Sequence, residues 1–286
     1  MVVTHGHKWG YRPSYLRRQL RRLCKVIVLV LRINGKSLFS NELLQMVRPL
    51  YETDLDGKKI IFRTGNGRLL WRAKTFKSEE PLMITWIRSM GISDVVLDIG
   101  SNVGVYSIPI AQRVQQVFSC ELDPLNVAIL KENVVLNSVQ EKVVILPFAC
   151  GGSTRLAEVN FRDLAYGDAL QSVAGGDRMP TTDSNMAHKM MSLQVNLDDL
   201  FTNLKLARPN KIKIDVDGNE KMVLEGIKNL LADSEEVYFE DSFTDSCADF
   251  IFYLTSLGFI ESANLEIFSK TQPKVVLGFN RIFKKT

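Results

Sequence analysis

Three carboxylates stand where apolar or alternating runs give way to turns. Asp98 follows Val95-Val96-Leu97 and leads into Ile99-Gly100-Ser101-Asn102-Val103-Gly104; Glu121 follows Val117-Phe118-Ser119-Cys120; Asp215 follows Lys211-Ile212-Lys213-Ile214 and leads into Val216-Asp217-Gly218-Asn219-Glu220. A strand that passes through a glycine-bearing turn into a helix aims main-chain N–H groups and a helix N-terminus at a ligand, and open α/β sheets hold their ligands at the carboxyl ends of the strands. The first turn reads D-x-G-x-x-x-G rather than the dinucleotide fingerprint G-x-G-x-x-G. Glu121, about twenty residues further on, is spaced to accept hydrogen bonds from both hydroxyls of a ribose, which points to a nucleoside. An acidic lining suits a nucleoside carrying an ammonium or a sulfonium better than one carrying phosphates.

The elements around these turns alternate strand and helix from residue 94 onward, the pattern of a mostly parallel, doubly wound sheet of seven strands with helices on both faces. A helix at 103–113 contains Pro109, so it either starts late or bends. Asp123-Pro124 opens a helix running to 137, 143–148 is a third strand, and Ala149-Cys150-Gly151-Gly152 would pass under a base. The Asp215 strand should neighbour the Asp98 strand, which puts Asp215 beside the reactive end of the ligand. Helices at 219–231 and 245–257 and strands at 236–240, 259–261 and 275–282 complete the core, the last two forming an antiparallel edge. Before the core, residues 51–91 read as a preface: a hairpin of 60–63 with 68–71 around Thr64-Gly65-Asn66-Gly67, then a helix at 78–90 capped by Ser78. Residues 161–191 show no periodicity, as expected of a functional loop closing over cofactor or substrate.

Three segments resemble the FkbM family of S-adenosylmethionine (SAM)-dependent O-methyltransferases: Val96 to Gly104, Asn196-Leu197-Asp198-Asp199-Leu200, and Ile212-Lys213-Ile214-Asp215-Val216-Asp217-Gly218-Asn219-Glu220. The likeness extends over roughly residues 60 to 282, and the third segment is the specific one, with Asp217 standing where the family commonly has Glu. The resemblance implies a Rossmann-like class I methyltransferase fold, SAM as cofactor, and a hydroxyl of a small molecule, sugar, glycan or lipid-linked saccharide as acceptor. Gly100, Ser101, Asn102 and Gly104 would then shape the turn around the methionine end. Glu121 would hold the ribose with Asp123 nearby, and Asp98 would support the turn and the ammonium. Asp215, Asp217 and Glu220 are the expected catalytic residues, orienting and deprotonating the acceptor, with no metal required. Two rivals stay open: an NAD-dependent oxidoreductase, which lacks the third fingerprint glycine and a Tyr-x-x-x-Lys dyad, and a non-catalytic membrane-surface binding module.

The composition, 45% apolar and 24% charged, is that of a soluble globular protein. Four scattered cysteines without a C-x-x-C pair favour a reducing, cytoplasmic setting and give no zinc or disulfide pattern. The formal charge of +4 is asymmetric: residues 1–41 hold nine Lys or Arg and no Asp or Glu, leaving 36 − 9 = 27 basic against 32 acidic in the rest. Residues 1–50 are therefore expected to form a helical extension distinct from the methyltransferase domain at 51–286, whose core is 92–286. Leu16, Leu20, Leu23, Ile27 and Val30 recur at helical spacing among Arg17, Arg18, Arg21, Arg22 and Lys25. Such a helix is either a lid or a peripheral contact with an anionic membrane. No nucleic-acid partner is expected.

Overall fold

A computed structural model describes residues 48–161, 165–169, 171–173, 188–216, 218–241, 245–268 and 276–285, together with 19, 22, 23 and 26. The chain divides into Met1–Pro49 and Leu50–Thr286. Apart from four helical positions, the basic helix lies outside the described residues, as does most of the loop at 161–191.

The preface differs from the hairpin expected at 60–71. Strands β1 (Leu50–Leu55) and β2 (Lys58–Arg63) pair antiparallel around Asp56-Gly57, whose φ values of 53° and 79° suit the tight turn between them. The segment expected as the second hairpin strand begins helix α1 (Gly67–Glu79) instead. Its N-cap is Asn66, whose side chain accepts from Leu69 N at 2.8 Å, and Leu69, Ala73 and Phe76 bury one face at helical spacing. Ser78 belongs to the end of this helix, its hydroxyl donating to the Thr75 carbonyl, and caps nothing. Helix α2 (Pro81–Ser89) starts afresh after Glu80 with Pro81 in its first turn, which replaces the single helix expected at 78–90.

The core then follows in order: β3 (Val95–Ile99), α3 (Ser107–Ala111), β4 (Gln116–Cys120), α4 (Pro124–Leu136), β5 (Val143–Leu146), β6 (Ala149–Cys150), β7 (Arg155–Phe161), β8 (Ser172–Val173), β9 (His188–Val195), α5 (Leu197–Asn203), β10 (Lys211–Ile214), α6 (Glu220–Gly226), α7 (Lys228–Asp233), β11 (Glu236–Asp241), α8 (Asp245–Ser256), β12 (Phe259–Phe268) and β13 (Val276–Lys285). The main sheet has seven strands in the order β12-β13-β11-β10-β3-β4-β5. Its five neighbours from β11 to β5 run parallel, and β13 is antiparallel to both β11 and β12. This is a doubly wound sheet with a reversed edge, and β3 and β10 are adjacent as their turns require. Helix α3 starts late, so Pro109 falls within its first turn, where a missing N–H costs nothing.

Helices cover both faces. Val96, Val117 and Tyr238 face a core built from the hairpin and α1 to α4, whereas Leu97, Ile99, Ile212, Ile214, Val237 and Phe239 face α5 to α8. The helix expected at 219–231 is interrupted at Ile227. A second sheet, β6-β9-β7-β8, was not anticipated: β9 begins at His188, inside the expected loop, and pairs antiparallel with β7 over Arg155–Phe161.

Candidate active site

The turn after β3 is built by main-chain bonds to the next strand. Gly100 N and Ser101 N both donate to the Cys120 carbonyl at 3.0 Å, and the Ser101 hydroxyl adds a third bond to the same oxygen. Gly100, at φ 82°, has no room for a side chain: a Cβ there would lie 1.8 Å from the Asp215 carbonyl oxygen. Gly104, at φ 80°, is closed in the same way by the Leu130 side chain. The space these glycines leave is thus filled by the protein itself, locking the β3 turn to the β10 turn and to α4.

Asp98 is fully buried, bonded at 2.5 Å by the Ser107 hydroxyl and ion-paired at 3.2 Å with Lys213 Nζ. It is sealed under the turn, and its charge is answered by a lysine of the protein. Lys213 also reaches Asp215 at 3.1 Å and the Gly100 carbonyl at 3.3 Å. Burial alone would lower its pKa, but Asp215, Asp98 and Glu80 reverse this and hold it above the ordinary lysine range. Asp215 in turn is held below the usual carboxylate range: Lys213 outweighs the burial that would raise it. The Asp215 side chain keeps 26% of its surface accessible, against 1% for Lys213 and for Asp98, so Asp215 is the member of this triad that can meet a substrate.

Glu121 has different company. Its two oxygens accept from Asn102 N and Asp123 N, each at 2.8 Å, the Asn126 side chain hydrogen-bonds to the same carboxylate, and among the described residues no cation pairs with it. Burial pushes its carboxyl up to about 7 despite those bonds. A carboxylate offers about four acceptor sites, so three donors leave room for a hydroxyl. Asp123 is buried and serves as N-cap of α4, accepting from Leu125 N, so it shapes the wall beside Glu121.

The Asn102 side chain takes a role the sequence does not announce. Its amide donates to the Asp168 carbonyl at 2.7 Å, and Asn126 donates to the same oxygen while accepting from Gly167 N. Arg68 pairs with the buried Asp168 carboxylate, and Arg72 donates to the Gly167 carbonyl. Residues 165–168 are thereby strapped across the β3 turn.

Of the three expected catalytic residues, Asp217 lies outside the described residues and Glu220 is 1% exposed, with one oxygen accepting from Gly218 N at 2.8 Å. Glu220 thus braces its own loop and is closed off from solvent. Sequence reasoning also passed over Glu80, Tyr106, Lys213, Tyr238 and Glu240, which gather beside Asp215. One signal was available: Lys211 and Lys213 alternate with isoleucines in a central strand, where a parallel sheet covered on both faces normally reads as an apolar run.

Residues 68–150 match the TRM5/TYW2 methyltransferase domain. The hexuronic acid methyltransferase AglP of Haloferax volcanii is 26% identical over 162 residues, covering 57% of this chain and 62% of that protein. A tRNA (guanine(37)-N(1))-methyltransferase of Phytophthora infestans is 30% identical over 92 residues, covering 32% of this chain and 21% of that protein. The chain thus spans less than two thirds of either relative. Among solved structures, methyltransferase FkbM from Methylobacillus flagellatus superposes with a TM-score of 0.48 at 13% identity, over 76% of this chain and 51% of that one. The sequence matches all fall among methyltransferases.

Proposed function

We propose that the chain is a SAM-dependent O-methyltransferase acting on a hydroxyl of a sugar or sugar-bearing acceptor. The observation that supports the reading is the Glu121 carboxylate at the end of β4, which among the described residues has three hydrogen-bond donors but no cation. A carboxylate with free lone pairs at this strand end suits a ribose diol. The neighbouring Asp123 carboxylate disfavours the pyrophosphate of a dinucleotide. SAM, when bound, supplies a methyl group on a sulfonium that is itself a good leaving group. Glu121 holds its ribose, and the main chain from Gly100 to Gly104 borders its methionine end. Asp98 acts at one remove, through Ser107 and Lys213. Asp215 meets the acceptor and aligns its hydroxyl. Such alignment is worth effective molarities of about 10⁵ to 10⁸ M.

The sugar acceptor is favoured by the extent of the similarity to the hexuronic acid methyltransferase. The tRNA-methyltransferase domain match ends at residue 150 and leaves out β10 and Asp215, so it bears on the cofactor half and is silent about the acceptor. Incubation with [methyl-³H]SAM and a panel of neutral glycosides, glucuronides, glycolipids and a tRNA transcript tests the assignment. Label in a saccharide fraction is the expected result; label confined to tRNA would replace the acceptor.

A further inference from the structure

The face of the central strands that packs toward α1 to α4 carries polar groups at two successive levels. Asp98, Lys213 and Tyr238 stand abreast on β3, β10 and β11; two residues on, Asp215 and Glu240 occupy the same face. Glu80 reaches this group from the preface. It is the junction between α1 and α2, where φ −128° and ψ 76° break the helical path. The Tyr238 hydroxyl donates to Glu80 Oε2 at 3.3 Å, and Tyr106 hydrogen-bonds to the same carboxylate. Tyr238 is 0% exposed and Tyr106 7% exposed, whereas Glu80 keeps partial access to solvent. A carboxylate brought by a helix break is thus fixed by two buried phenols next to Asp215.

We propose that Glu80 is the catalytic base, receiving the proton of the acceptor hydroxyl that Asp215 aligns. The proposal rests on the methyl-transfer reading. In the step, the acceptor O–H bond breaks and its proton passes to Glu80, the oxygen forms a bond to the methyl carbon, and the methyl–sulfur electron pair returns to sulfur. The neighbours leave Glu80 as the group suited to this task. Lys213 keeps Asp215 ionised and therefore a weak base. Burial pushes the Tyr106 and Tyr238 hydroxyls well above the usual phenol range, so both stay neutral donors. Glu240 hydrogen-bonds to Asp215 and is engaged there. Glu80 is pushed up to about 7 by burial and by the charge of Asp215, against the opposing pull of Lys213 and the two phenols. A base matched to neutral pH contributes typically about 10² to 10⁴ in rate.

The test uses the full chain labelled with [δ-¹³C]glutamate, and two sugar probes, methyl α-D-glucopyranoside and p-nitrophenyl β-D-glucuronide. Two glutamate carboxyl signals should titrate near neutrality, one absent in Glu80→Gln, the other absent in Glu121→Gln. With a methylated probe, kcat should rise along a limb near pH 7. Glu80→Gln should remove that limb and lower kcat about 10²- to 10⁴-fold, with SAM affinity within about twofold of the wild type. Tyr238→Phe, which deletes a donor to the ionised form, should move the limb to higher pH. A Glu80 signal titrating in the ordinary carboxylate range, or a Glu80→Gln enzyme that keeps both limb and rate, overturns the proposal. A wild-type chain that binds SAM but methylates neither probe counts against the sugar reading, while the titration still decides the state of Glu80.

Discussion

Glu121 and Asp215 end strands on either side of β3, yet the protein treats the two carboxylates in opposite ways. Asp215 has a buried lysine within 3.1 Å that holds its carboxyl below the usual range; Glu121 has two main-chain N–H donors and the Asn126 side chain, no cation among the described residues, and a carboxyl raised to about 7. A carboxylate paired internally is a fixed charge that can orient a neutral partner. One that is hydrogen-bonded but has no cation keeps acceptor capacity that a ligand's hydroxyls can fill. The contrast assigns the Glu121 end to binding and the Asp215 end to alignment, and it can be broken from either side.

The largest effect is expected from Lys213→Met. Removing the cation strands Asp98 and Asp215 as like charges in a buried place, and breaking a buried pair in this way costs about 3 to 5 kcal/mol. Urea denaturation at pH 7.5 measures it. A loss under about 1 kcal/mol would mean that Lys213 does not hold the triad together.

The second effect is a pH dependence with a definite sign. A Glu carboxyl ordinarily titrates near 4.5 and Glu121 in the folded chain at about 7, so between these the folded chain binds more protons than the unfolded one. Ligand-free stability should therefore fall as pH rises from 4.5 to 7 and level off above, Glu121 contributing on the order of 3 kcal/mol to the change. Glu80, raised in the same direction, adds to the slope. Glu121→Gln should flatten part of it, and an unaltered slope in that variant would contradict the burial argument.

The third effect sharpens the Asp215 side. Asp215→Asn keeps the hydrogen-bonding shape but loses the charge, so kcat should drop about ten- to hundredfold, the worth of one charge-assisted bond of about 1.5 to 3 kcal/mol. SAM affinity should hardly move. Steady-state kinetics beside calorimetry separates the two, and a variant defective chiefly in SAM binding would shift Asp215 to the cofactor side.

How much of this could be read from the chain depends on how local the cause is. The sheet was legible because its strands are short apolar or alternating runs bounded by Gly100, Asp123-Pro124 and Gly218, and Asp98 and Glu121 mark strand ends by position alone. The preface was misread where two local signals competed. Thr64-Gly65-Asn66-Gly67 has turn chemistry, but Asn66 uses its side chain to cap α1, and the hairpin turn is the less conspicuous Asp56-Gly57. The sheet formed by β6 to β9 was missed because it depends on pairings across long stretches of sequence, such as Phe161 with His188. The site's second half was missed for a related reason. Glu80, Tyr106, Lys213 and Tyr238 share no motif, and tertiary packing brings them together. Glu220 shows the converse, a carboxylate well placed in a motif and turned inward to brace its own loop.

The most direct test of the account is calorimetric titration of SAM and of NAD into the wild-type chain and into Glu121→Ala. SAM should bind the wild type and NAD should not. Glu121→Ala should weaken SAM roughly ten- to hundredfold, the loss of about 1.5 to 3 kcal/mol expected for a charge-assisted bond to a ribose hydroxyl. Unchanged SAM affinity in Glu121→Ala, or binding of NAD in place of SAM, would contradict it.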